Sequence, residues 1–142
     1  MRQPAELSGS DNSYLLINIL IAGVIIMIII YSGIFSPVND KYPVQCIHEK
    51  ITGLSCPSCG LSRSFSYIVR GDLEAANEWN QYGLRVFLFF ISQLILRTSV
   101  SMVLVRKRGS LKELIIFDVM VSIVSFAAGL GQFGVYYFKV LI

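Results

Sequence analysis

YLLINILIAGVIIMIIIYSGIF, residues 14–35, holds one strongly polar side chain, Asn18. Its wealth of Ile and Val would suit a strand. A lone strand in lipid, however, leaves its backbone N–H and C=O groups unpaired, whereas a helix satisfies them internally. About 20 apolar residues cross the hydrocarbon core as helix, so the stretch reads as a transmembrane span. The apolar run is longer than the core of a secretory signal. SGIFSPVN at its end also lacks a small-x-small cleavage pattern, and a retained anchor is expected.

The rest of the chain follows the same solvent. Hydrophobic residues make up 54% of the 142 and charged residues 15%, against a norm of about 25% charged in soluble domains. Two further runs are long enough to span, 82–105 with Arg85, Gln93 and Arg97, and 114–138 with Asp118 near its start. The expected fold is an all-α integral membrane protein with three transmembrane helices. A short re-entrant or interfacial amphipathic helix pair is expected between the first and second.

Orientation follows from the basic residues. The link 106–113 carries Arg106, Lys107, Arg108 and Lys112 against Glu113 alone, which marks it as cytoplasmic. The N-terminal tail, 1–13, then lies inside as well, and the connection 36–81 lies on the outer face. A basic cluster between two apolar runs is a topology signal, and no nucleic-acid partner is read from the net charge of +3. The bilayer itself is the first partner.

The polar chemistry is concentrated in the connection, at SCPSCGLSRSFSYIVRGDL, residues 55–73. Pro57 suits the first turn of a helix and Gly71 the left-handed position that ends one. Asp72 suits the N-cap of the next, with Glu74 in its first turn. The spacing therefore predicts a helix from Pro57 to Arg70 and another from Leu73 into the second span. In the first, Leu61, Phe65, Ile68 and Val69 share one face, and Arg63, Ser66 and Arg70 the other. Arg63 and Arg70 are candidates for holding a lipid phosphate or a partner's carboxylate; snorkelling or capping of carbonyls is the plainer role.

Cys46, His48, Cys56 and Cys59 fall within fourteen residues as C-x-H-x7-C-x2-C. Three chemistries remain open. A disulfide or packing clip is favoured and suits an outer face. Zinc is the next alternative, because Cys56-x-x-Cys59 has the spacing of half a site, whereas Cys46-x-His48 is shorter than usual. Thiol–disulfide chemistry at a helix start is the third.

Within the membrane, a charge costs a few kcal/mol unless it is paired. Arg97 and Asp118 lie on neighbouring antiparallel spans joined by a short link, so an ion pair is expected. The third span carries Asp118, Ser122, Ser125, Gly129, Gln132 and Tyr136 on one face. Such a stripe lets another helix approach closely, either within the chain or from a partner. With one histidine and no nucleophile–base pair, no hydrolase set can be assembled.

TGLSCPSCGLSRSFSYIVRGDLEAANEWN resembles the signature of DUF2752, a family of small bacterial membrane proteins. The matching positions are Cys46, Thr52, Gly53, Cys56, Pro57, Cys59, Gly60, Arg63, Gly71, Asp72 and Asn80. Ser62 stands where the family has Thr, keeping the hydroxyl. Gln81 stands where the family has Pro, which predicts a smoother start to the second span. The resemblance implies a bacterial cytoplasmic membrane and one structural unit around the motif, and it names no activity. The preferred functional reading is a non-enzymatic accessory or scaffold subunit. It would bind a larger membrane protein, or copies of itself, through the cysteine-clipped cap and the stripe. A thiol or metal enzyme centred on Cys56 and Cys59, and an anionic-lipid binder, are the alternatives.

Overall fold

The structure, a computed structural model, describes residues 9–35, 58–106 and 110–141, with the side chains of 132, 134 and 136–141 left out. The described residues are helical, with no strand among them. Five helices follow in order: α1 Gly9–Ile34, α2 Leu61–Val69, α3 Leu73–Trp79, α4 Gly83–Val105 and α5 Leu111–Leu141. The chain is an all-α membrane protein, and α1, α4 and α5 are each long and apolar enough to cross a bilayer.

The spanning helices overrun the apolar stretches. α1 begins at Gly9, inside the segment expected as tail, and α5 begins at Leu111 within the basic link. Backbone pairing has no reason to stop where the apolar side chains do. Asp11 occupies the first turn of α1 and Glu113 that of α5, where negative charge suits the dipole.

α4 is the centre of the architecture. α1 and α5 both pack along it, while α2 and α3 lie across its N-terminal end and α2 also touches α1. Its buried residues Val86, Gln93, Leu96, Val100 and Leu104 recur every three, four or seven positions, as a seam in a helix bundle requires. α1 buries a narrower seam of Asn18, Ile25 and Ser32, seven residues apart. Leu96, Val100 and Leu104 form the apolar core, with Tyr14, Leu111, Leu114 and Val121 packed around them. The remaining faces of α1 and α5 expose Ile, Leu, Val, Met and Phe, as lipid-facing surfaces do.

The cap departs from expectation at both ends. Its first helix starts at Leu61, not Pro57, because Gly60 takes the left-handed conformation (φ 76°) and turns the chain just before it. Pro57 lies outside the described residues. The second cap helix stops at Trp79 and does not run into the span. Asn80 is extended, its Oδ1 accepts from the Tyr82 N–H at 2.9 Å, and its carbonyl accepts from the Gly83 N–H at 2.9 Å. An Asn side chain thus takes over a helical hydrogen bond and ends the helix. The expected run from Leu73 into the second span is overturned, since Asn80 breaks the helix without a proline.

Candidate functional site

Two polar clusters stand out, one inside the membrane region and one in the cap. Asn18 lies nine residues from the start of α1, Arg97 eight from the end of α4, and Asp118 seven from the start of α5. At about 1.5 Å per residue all three sit roughly 10–14 Å from the same end of the bundle, which is why they meet. The Arg97 guanidinium pairs with the Asp118 carboxylate, and the same Nη1 donates to Asn18 Oδ1 at 3.1 Å. Its Nη2 donates to Ser122 Oγ at 2.8 Å and to Gln93 Oε1 at 3.3 Å. The Tyr14 hydroxyl donates to Asp118 Oδ2, and Asn18 Nδ2 donates to the Tyr14 carbonyl at 2.9 Å. One arginine thereby joins all three spanning helices. Asn18, Gln93 and Asp118 are buried. Gln93 Nε2, Arg97 Nε and Asp118 Oδ1 have no hydrogen-bond partner among the described residues.

In lipid, apolar side chains gain nothing by leaving one helix face for another, so association rests on packing and interhelical hydrogen bonds. The cluster supplies the bonds and glycine the packing. A Cβ at Gly129 would come 2.7 Å from Phe89 Cβ, so α5 can lie against α4 at that level only as glycine. Asp118, Ser122 and Gly129 of the small-residue stripe therefore serve contacts with α4 inside the chain. Ser125 lines a groove beside them, and the side chains of Gln132 and Tyr136 lie outside those described.

In the cap, Arg70 closes the end of α1. Helices leave their last four carbonyls unpaired, and α1 has no basic residue in its last turn. Arg70 Nη1 donates to the Ser32 carbonyl at 3.3 Å, and Nη2 to those of Gly33 at 3.0 Å and Phe35 at 3.3 Å. It also holds the Ser66 carbonyl at 2.8 Å, and Ser66 Oγ donates to Phe35 O. The polar face of α2 is thus a docking face for α1. Its apolar face inserts Phe65 edge-on against Phe87 and Phe90 of α4, at centroid distances of 5.4 and 5.9 Å.

Gly60, Gly83 and Asn80 lock this arrangement. A Cβ at Gly60 would strike the Trp79 carbonyl oxygen, and one at Gly83 would strike the Ser64 hydroxyl. Asn80 Nδ2 donates to the Cys59 carbonyl at 2.8 Å, tying the turn before α2 to the turn before α4. Gly71 (φ 85°) ends α2, and Asp72 caps α3 through Oδ1 on the Ala75 N–H at 3.0 Å. The Arg63 guanidinium stacks over the Trp79 ring at 4.4 Å.

Cys59 is disulfide-bonded, and in that form it offers no thiolate to zinc. The other residues of the cysteine and motif set, Cys46, His48, Thr52, Gly53, Cys56 and Pro57, lie outside the described residues. Sequence reasoning did not assign Tyr14, Asn18, Gln93, Ser64 or Gly83 to any site. Asn18 and Gln93 carried a signal, as strongly polar side chains within apolar runs. Ser64 and Gly83 carried none, because only their crossing makes them matter.

Three apolar spans held by one charged cluster, with a two-helix cap on the middle span, define the class: an all-α membrane protein. The family model described as a protein of unknown function (DUF2752) matches residues 46–94, the cap and the cap-side half of α4, so the resemblance holds over that segment. No curated protein and no solved structure matches the chain.

Proposed function

We propose that the protein is a non-enzymatic accessory or scaffold subunit of a membrane assembly, with the cap as the surface that meets a larger membrane protein. The observation that carries the reading is the use made of the polar side chains. Arg97, Asp118, Asn18 and Ser122 brace the chain's own helices, and Arg70, Ser66 and Asn80 hold the cap to them. A rigid cap on a small helical base is what a docking subunit needs. Asp118, Ser122 and Gly129 of the α5 stripe drop out of the partner surface, since they pack on α4.

Photo-reactive residues at Glu74, exposed on the cap, and at Val124, exposed on α5, test this. A discrete protein adduct from position 74, absent from position 124, is expected. Monodisperse protein giving only lipid adducts from both positions would remove the proposal.

A second reading rests on the disulfide at Cys59 beside a left-handed glycine at a helix start. In it the protein exchanges disulfides: a substrate dithiol passes two electrons to the Cys59 disulfide and leaves oxidised. Cys59→Ser decides between the two. Loss of exchange in folded protein favours the enzyme, while loss of the folded protein favours a structural clip.

A further inference from the structure

On the cap side of the bundle a groove stays open beside the contact between α4 and α5. Where Gly129 brings the helices together, a groove of about 280 Å³ runs alongside, lined by Leu88, Phe89, Ser92 and Ala128 below and by Arg85 at its mouth. That volume is under the roughly 300–1,000 Å³ of sites that enclose a compact ligand. The walls are mostly apolar, which suits a length of hydrocarbon chain better than a polar headgroup.

Arg85 is what makes the groove specific. It is the third residue of α4, about 3 Å along the axis from the helix start, which is headgroup depth for a helix that spans the bilayer. Cations are disfavoured at a helix N-terminus, where the dipole is already positive, and α4 has no acidic residue in its first turn. Arg85 is exposed and makes no ion pair or hydrogen bond among the described residues. The other arginines nearby are engaged, Arg70 on the carbonyls of α1 and Arg63 on Trp79. Among the described residues, the guanidinium therefore stands without a counter-charge beside an apolar groove.

We propose that this groove binds one anionic phospholipid from the leaflet on the cap side. Its phosphate lies on Arg85 and one acyl chain lies along Leu88, Phe89 and Ala128. A fork of guanidinium donors matches phosphate oxygens in a way a point charge does not. A zwitterionic lipid brings the same phosphate with a cation beside it, which the positive helix end repels.

Native mass spectrometry of the full chain in mild detergent, titrated with phosphatidylglycerol or phosphatidylcholine, tests the site. Wild-type protein is expected to hold one phosphatidylglycerol in preference to phosphatidylcholine. Arg85→Gln is expected to weaken phosphatidylglycerol binding about tenfold or more while barely changing phosphatidylcholine. Ala128→Phe, at an exposed position that fills the channel, is expected to weaken both lipids. Undiminished phosphatidylglycerol binding in Arg85→Gln overturns the proposal. A change with Arg85→Gln but none with Ala128→Phe also overturns it, because Arg85 would then only snorkel to bulk headgroups. Helical content and elution volume confirm that each variant is folded.

Discussion

Arg97 and Arg70 are both arginines that hold helices together, yet they do so with different partners. Arg97 sits in the membrane region and faces a carboxylate, two amide oxygens and a hydroxyl, all from side chains. Arg70 sits in the cap and faces backbone carbonyls at the end of α1, with the carbonyl and hydroxyl of Ser66 from α2. The difference follows from the surroundings. Deep in lipid a full charge needs a full counter-charge, because nothing else offsets its desolvation. At a helix end near water, the partial charge of unpaired carbonyls is enough. One arginine therefore specifies which helices meet, and the other specifies where a helix stops.

The comparison breaks most visibly if Arg97 loses its counter-charge. Asp118→Asn is expected to cost about 3–5 kcal/mol, as removing one member of a buried pair does. Adding Arg97→Met should restore much of that loss, since the stranded charge goes with it. Unfolding of the three proteins in mixed micelles reads both steps. Equal stability of the two variants would show that Arg97 reaches water by itself.

A smaller loss is expected in the cap from Gly60→Ala. The left-handed backbone alone costs about 1–2 kcal/mol for a residue with a Cβ, and here the Cβ also meets the Trp79 carbonyl. Gly71→Ala has the same backbone demand with nothing within 4 Å, so it isolates the conformational part. The same unfolding assay should place Gly60→Ala below Gly71→Ala. Equal effects would mean that the turn before α2 moves freely away from Trp79.

The smallest effect should come from Arg70→Met. Cation–dipole contacts at a helix end contribute about 0.3–1 kcal/mol at exposed sites, and the apolar packing of Phe65 remains. The change should be local: faster hydrogen exchange through the last turn of α1, with the amides around Arg97 unchanged. Exchange that rises equally in both places would show that the cap and the membrane cluster form one cooperative unit.

How far the sequence carries the reader differs between these regions. Three spans are legible because apolar runs longer than about 20 residues have one stable form in lipid. The turn at Gly71 and Asp72 is legible because left-handed backbone and N-caps select their residues locally. Arg97 with Asp118 can be matched by counting residues from a short link. The partners of Arg70 cannot be read this way. Beyond Ser66 four residues away, they are backbone carbonyls more than thirty residues away, and every helix end offers the same groups whatever its side chains. The Asn80 break is hidden for a related reason: its side chain ends the helix by a hydrogen bond to the Tyr82 N–H that Asn makes only in this turn.

By itself, then, the amino-acid sequence determined the solvent, the number of spans, the local turns of the cap and one pair of opposite charges. Each depends on residues near one another in the chain or on a count along it. Only the tertiary structure decided that Tyr14, Asn18, Gln93 and Ser122 join that pair, that α2 docks on the end of α1, and that Gly83 must yield to Ser64. It also decided that Arg85, with no ion pair among the described residues, lines an open groove. These depend on the rotation and crossing of helices, and in a membrane those are set by close packing and a few polar contacts, which no periodicity records.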